Sequence, residues 1–213
     1  MDELMFFIDF DGTISREDVC ASMVKNFARK GWQEINHLWE ERLISTEECA
    51  QRTLDLMEAS PEDLEAFFKQ MEIDPGFLAF VDWSANKEYP LYILSDGYDN
   101  YIKEILTRFG ILLPYYANHL DYEEGWRIRC CHQDQECRQC GVCKTKLIEE
   151  LIKPGYKRVY IGDGYSDFCP AASCDLVFAK NQLAALCQGE GISFYAYKDF
   201  SDVQKILQDM IGP

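Results

Sequence analysis

Leu4-Met5-Phe6-Phe7-Ile8, running directly into Asp9-Phe10-Asp11-Gly12-Thr13, decides the fold of this chain. Five apolar residues without alternation read as a strand buried on both faces, the kind found in parallel sheets covered by helices. The run breaks into two carboxylates at alternate positions, and alternate strand residues share a face. The carboxyl end of such a strand is where open α/β sheets place their ligands, and paired carboxylates offer hard oxygens to Mg²⁺. Gly12 permits a sharp turn there. One carboxylate can then attack phosphorus while the other exchanges a proton with the leaving oxygen. The same pattern also serves as plain turn chemistry, so the rest of the chain must decide.

Three further elements follow in the order a phosphoryl-transfer site requires. Leu91-Tyr92-Ile93-Leu94 reads as a second buried strand ending in Ser95-Asp96-Gly97, a hydroxyl and flexible backbone suited to phosphate oxygens. We take Asp96 and Gly97 as substrate-binding beside Ser95. Lys144 opens the helical pattern Lys144 to Ile152 and brings a cation for an anionic nucleophile and phosphate. Val159-Tyr160-Ile161 then runs into Gly162-Asp163-Gly164-Tyr165-Ser166-Asp167, again placing carboxylates at a strand end, as a second Mg²⁺-holding loop should.

The 213 residues, 47% hydrophobic, suffice for one full core and a small inserted module. A net charge of −16 disfavours nucleic acid and anionic membranes as partners, and the phosphoryl-transfer motifs make a small phosphorylated metabolite the expected one. No charged-then-apolar signal segment precedes Asp9, and no apolar run approaches the roughly 18 residues of a membrane span, so a cytoplasmic location is expected. Helical spacing covers Glu17 to Arg29, Ile35 to Glu41, Thr46 to Ala59 and Pro61 to Met71, with start signals at Ser45 and at Ser60-Pro61. Asp74-Pro75-Gly76 ends that stretch. Tyr98 to Gly110 reads as a helix, and Tyr115 to Leu120 with Trp126 to Arg129 as a hairpin. Beyond the last acidic loop, strands at Leu176–Ala179 and Ile192–Phe194 alternate with helices near Asn181 to Cys187 and Ser201 to Met210. The result is an α/β fold with a doubly wound, mainly parallel sheet.

A cysteine-rich run, Cys130-Cys131-His132 with Cys137, Cys140 and Cys143, leads into Lys144. The Cys137-x-x-Cys140-x-x-Cys143 spacing suits tetrahedral zinc, with Cys131, Cys130 or His132 as fourth ligand. A disulfide and reduced, idle thiols remain as alternatives.

Taken together, Asp9/Asp11, Ser95, Lys144 and Asp163/Asp167 resemble the four motifs of the haloacid dehalogenase superfamily of aspartyl-phosphate hydrolases. The resemblance implies that Asp9 is the nucleophile and Asp11 the general acid/base, also offering its backbone carbonyl to Mg²⁺. It implies that Ser95 and Lys144 bind the transferred phosphoryl group, that Asp163 ligates the metal, and that Asp167 acts one layer behind. It further implies a catalytic core over 1–14 and 88–213 and an α-helical cap over 15–87. Ala117-Asn118-His119-Leu120 resembles the phosphoserine-phosphatase-like branch, where the acidic residue nine positions after the nucleophile reaches the substrate; here that is Asp18, which as a first-turn residue has an ordinary helix role as its alternative. The Cys140-Gly141-x-Cys143-Lys144 run is similar to the methionine-salvage branch, whose substrate is 2-hydroxy-3-keto-5-methylthiopentenyl-1-phosphate. Phosphoethanolamine/phosphocholine and phosphoserine phosphatases are the alternatives. A different class of reading is a metal-binding interaction module whose phosphatase site is vestigial.

Overall fold

In β1 (Glu3–Ile8) Met5, Phe6, Phe7 and Ile8 have no solvent exposure. Leu4, Phe6 and Ile8 join one apolar cluster, whereas Met5 and Phe7 join another on the opposite face. Burial on both faces requires neighbours on both edges and helices above and below, which is the setting of a central parallel strand. The computed structural model, which describes residues 3–211, has that arrangement. The other strands are β2 (Leu91–Tyr98), β3 (Tyr115–Tyr122), β4 (Trp126–Arg129), β5 (Tyr156–Gly162), β6 (Leu176–Ala179) and β7 (Tyr195–Ala196). They form a seven-stranded sheet in the order β4-β3-β2-β1-β5-β6-β7. All neighbours are parallel except β3 and β4, the antiparallel hairpin at one edge. The carboxyl ends of β1, β2 and β5 therefore open on the same side, bringing the loops at Asp9, Ser95 and Asp163 together.

The helices are α1 (Val19–Phe27), α2 (Trp32–Glu40), α3 (Thr46–Leu54), α4 (Pro61–Phe68), α5 (Phe77–Asn86), α6 (Asp99–Arg108), α7 (Lys144–Leu151), α8 (Phe168–Ala172), α9 (Asn181–Glu190) and α10 (Phe200–Ile211). Start signals in the sequence operate as side-chain caps: Ser45 accepts from the Glu48 N–H, and Ser60 and Asp63 form a reciprocal capping box with Pro61 at the first helical position. The chain leaves the sheet at Ser15 and returns at Ile73, and these two residues form an antiparallel bridge. Helices α1 to α4 lie in that excursion.

Several helices end earlier than their apolar spacing predicts. The periodicity through Ala59 stops as helix at Leu54, because Met57 turns out to bridge Ala28 in an antiparallel pair that also ends α1. Residues 77–86, for which the sequence raised no helix, form α5. Its Phe77 and Phe80 rings sit 4.8 and 5.1 Å from Phe200 of α10, and Phe80 stacks edge-on against Phe6 at 5.3 Å. The strand expected over Ile192–Phe194 lies instead at Tyr195–Ala196. Gly191 adopts a left-handed φ of 70° to close α9, and the Ile192 N–H is taken by the Cys187 carbonyl, so that residue belongs to the helix end.

Phe200 is fully buried against Phe77, Phe80 and Tyr197 and joins α10 to α5. Phe200→Ala is expected to cost about 3–5 kcal/mol of stability, read as a lowered urea midpoint with an unchanged slope.

Candidate active site

The site is built around Lys144, the first residue of α7, whose side chain is only 1% exposed. Its Nζ donates to Asp9 Oδ1 at 2.5 Å, to Asp167 Oδ1 at 2.6 Å and to Ser166 Oγ at 3.3 Å. A buried ammonium is tolerable only when its charge and donors are met, and two carboxylates and a hydroxyl meet them. Burial works against the charge, but Asp167, Asp9 and Asp96 outweigh it and hold the ammonium above its ordinary range. Asp167 is saturated by other partners: Tyr160 Oη donates to Oδ1 at 2.6 Å, and the N–H groups of Asp163 and Gly164 donate to Oδ2 at 2.9 Å.

Asp9 sits at the end of β1 with its N–H tied to the Ile161 carbonyl. Burial first, then Asp167, push its carboxyl well above the ordinary range, with Lys144 opposing. Gly12 follows with φ 72°, and a Cβ there would come within 2.7 Å of Asp163 Oδ2, so only glycine lets the two loops approach. Asp163 accepts from Thr13 Oγ1 and Asn181 Nδ2, both at 3.2 Å. Burial and then Asp167 raise it to about 6.

Asp11 faces the other way. Its Oδ1 accepts from the Val19 N–H at 3.1 Å, and its Oδ2 from Ser95 Oγ at 3.2 Å and Tyr101 Oη at 2.5 Å. Burial first, then Asp18, raise this carboxyl to about 7. Ser95 Oγ also accepts from the Gly97 N–H. The Asp96 carboxylate accepts from the Val142 N–H at 2.7 Å, while its backbone carbonyl accepts from Asn118 Nδ2 at 2.7 Å. It thereby fastens the β2 loop to the segment that delivers Lys144. Asp18 caps α1 by accepting from the Ala21 N–H, and it opens on the cavity while hemmed in by protein, which raises its carboxyl. His119 is held between Asp99 and Asp121 on the hairpin.

A cavity of about 450 Å³ lies over these groups. Asp9, Asp11, Asp163 and Asp167 form its floor, and side chains of α1, α2 and α3 its roof. Among the described residues, one group of three ligating side chains has its atoms within 4.8 Å of one another: Asp9, Asp163 and Asp167. These are hard oxygen donors whose combined charge Lys144 only partly offsets, the donor set that Mg²⁺ fits. The Asp11 side chain lies outside the group.

The cysteine loop brings the Cys137 sulfur beside both Cys140 and Cys143. Cys137 and Cys140 sulfurs are 3.7 Å apart, but Cys131 turns back to the Arg129 carbonyl, and no sulfur set joins the one metal-ligating group. Asp134 accepts from the Glu136 and Cys137 N–H groups and sets a tight turn, while the Cys143 N–H pairs with the His132 carbonyl. The loop's backbone is ordered by these contacts, with Cys137, Cys140 and Cys143 near one another at its end.

Residues 6–171 match the family of haloacid dehalogenase-like hydrolases. The chain belongs to that family. It is 32% identical over 98% of its length to a 2-hydroxy-3-keto-5-methylthiopentenyl-1-phosphate phosphatase of Geobacillus kaustophilus, covering 97% of that protein. A phosphatase of the same description from Lysinibacillus sphaericus is 28% identical, with 97% and 95% covered. Among solved structures, a phospho-aspartyl intermediate analogue of phosphoserine phosphatase superposes with a TM-score of 0.70, at 18% identity, over 97% of this chain and 99% of that one. A phosphoserine phosphohydrolase-like protein from Francisella tularensis gives 0.73 at 15% identity, over 95% and 99%. These likenesses show the fold. The chain is a phosphatase of the haloacid dehalogenase-like family, whose phosphatases depend on Mg²⁺. Among the described residues no helix is long and apolar enough to cross a membrane.

Sequence reasoning gave no role to Tyr101, Tyr160 or the Thr13 hydroxyl, and it placed Asn181 only at the start of a helix. Asn181 carried the same signal as the motif acids, a polar residue just past a strand end. Tyr160, inside an apolar run, and Tyr101, one turn into a helix, carried none.

Lys144→Met leaves Asp9 and Asp167 facing each other unpaired, and is expected to cost about 3–5 kcal/mol in chelator-treated protein by urea unfolding. The carboxyls of Asp11 and Asp163 titrate near 7 and 6 in the fold but near 3.8 when unfolded. Between those values the folded state binds more protons than the unfolded chain, so metal-free protein should lose stability as pH rises from about 4 to about 7. Added Mg²⁺ should restore it at the upper end; a flat profile of urea midpoint against pH would refute the assignment.

Proposed function

We propose that this chain hydrolyses a small phosphomonoester through an aspartyl-phosphate on Asp9, with 2-hydroxy-3-keto-5-methylthiopentenyl-1-phosphate as its substrate. The observation that carries the reaction is the buried contact of Lys144 with Asp9 beside Asp163, at the floor of the cavity. Lys144 and the backbone hold the Asp9 carboxylate with one oxygen fixed, so the other is directed at phosphorus. Ser95 Oγ and the N–H groups of its loop receive phosphoryl oxygens. Asp11, poised at about 7, gives its proton to the leaving oxygen and later takes one from the attacking water. Asp9 and Asp163 would hold Mg²⁺ with the Asp11 carbonyl, and Asp167 would position Lys144. When bound, Mg²⁺ supplies charge neutralisation between nucleophile and phosphate.

Substrate choice is read from the roof, and we take α1 to α4 as the cap. Met23, Cys49 and Leu54 offer an apolar lining for a methylthio tail, and the relatives bearing that substrate's name cover nearly the whole chain. Neither Lys nor Arg is among the residues lining the cavity, which leaves the carboxylate of phosphoserine without a partner. A second reading, phosphoethanolamine or phosphocholine, is favoured by Asp18 and Glu40 together with the Trp32 and Trp39 faces, which suit an ammonium group.

Inorganic phosphate release from these four substrates, with Mg²⁺ or chelator, tests both. Turnover should require Mg²⁺ and fall by roughly 10³-fold or more in Asp9→Asn. Preference for the methylthiopentenyl ester supports the first reading, and preference for phosphocholine the second. Turnover that survives in Asp9→Asn would remove the aspartyl-phosphate mechanism.

A further inference from the structure

Tyr101 does not line the cavity, yet its hydroxyl makes the shortest hydrogen bond to the Asp11 carboxyl. We propose that Tyr101 is a positioning residue for the chemical step, holding Asp11 in its proton-donating rotamer and stabilising the carboxylate that forms there as the leaving oxygen is protonated. The proposal rests on the reading of Asp11 as the general acid.

The geometry supports it from three sides. Tyr101 is fully buried, and its ring is wedged among Phe10 at 5.9 Å, Phe68 at 5.3 Å and Tyr98 at 6.2 Å, so the hydroxyl has little freedom to leave Asp11. The space between the two side chains is closed by Gly97, where any Cβ would overlap both the Tyr101 hydroxyl and Asp11 Oδ2. Finally, the Tyr101 hydroxyl has Cys20 Sγ at 3.3 Å on its far side, a weak partner that leaves Asp11 as its strong acceptor.

The step balances as follows. The Asp9 oxygen forms a bond to phosphorus as the ester P–O bond breaks, the electron pair of that bond goes to the leaving oxygen, and the Asp11 proton passes to it. Asp11 becomes a carboxylate, and Tyr101 keeps its own proton while its hydrogen bond becomes charge-assisted. A neutral hydrogen bond that strengthens as charge develops stabilises the transition state more than the ground state. That benefit is needed only when the leaving oxygen needs a proton.

The test compares two substrates with Mg²⁺ present: phenyl phosphate, whose leaving oxygen is basic, and p-nitrophenyl phosphate, whose leaving group departs without protonation. The quantity read is kcat/KM, which stops at the first irreversible step, departure of the leaving group. Tyr101→Phe should lose roughly tenfold on phenyl phosphate, a fraction of the ~10²–10⁴ that a general acid contributes, and under about twofold on p-nitrophenyl phosphate. Asp11→Asn should shift the same ratio further, and the double variant should add nothing to Asp11→Asn. Equal loss on both substrates, or none on either, overturns the role of Tyr101 even if Asp11→Asn behaves as expected. If Asp11→Asn itself leaves the ratio unchanged, the acid assignment falls and the role of Tyr101 falls with it.

Discussion

Everything at this site is arranged around one buried ammonium. Lys144 could not lie 2% exposed inside a protein unless two carboxylates and a hydroxyl were already waiting for it. Those groups come from β1 and from the loop after β5, which the parallel sheet places side by side, whereas Lys144 arrives from the far end of the hairpin and the cysteine loop. Asp96 and Asn118 solve the delivery problem. One fastens the backbone at Val142, the other fastens Asp96 itself, and the cation lands between Asp9 and Asp167. In a chain of net charge −16, this one cation offsets part of the acid cluster's charge, and a bound Mg²⁺ would supply what a phosphate needs beyond it.

The site divides its carboxylates by partner. Asp9 and Asp167 share the lysine, Asp163 takes hydrogen bonds from Thr13 and Asn181, and Asp11 sees hydroxyls and an N–H but no cation. Acids in such different surroundings suit the separate nucleophile, metal-holding and proton-transfer roles proposed for them in a space a few ångströms across.

Much of this was legible in the chain. The motif acids, Ser95 and Lys144 stand at the ends of strong apolar runs or at a helix start, and in a parallel sheet those ends converge whatever the details of the loops. What the sequence hid lies deeper. Tyr160 and Tyr101 look like core aromatics because their rings are core; only the hydroxyl is functional, and spacing says nothing of where a hydroxyl points. Helix ends were overread where an isolated bridge, Ala28 to Met57, competes with apolar periodicity, and α5 went unseen because its aromatic face is completed by α10, more than a hundred residues later. The cysteine run is a strong local pattern of a different kind. Its spacing brings Cys137 beside Cys140 and Cys143, while Asp134 and the His132 carbonyl order the backbone around them.

The roof over the cavity is anchored unevenly. Helix α3 is pinned to the core, with the Thr46 N–H on the Gln139 carbonyl and Gln51 both donating to the Trp126 carbonyl and accepting from the Ile128 N–H of β4. Helix α4 is held by Arg108, which donates to the carbonyls of Lys69 and Met71, and by Phe68 against Tyr101. Helix α2, which hangs Trp32, Asn36 and Trp39 over the acids, contains no fully buried residue. The indoles that face the acids thus hang from the helix with the least buried side-chain surface, so the part of the roof nearest a ligand is the part the interior constrains least, and its shape there is set by what Trp39 touches, Thr46 and Tyr165.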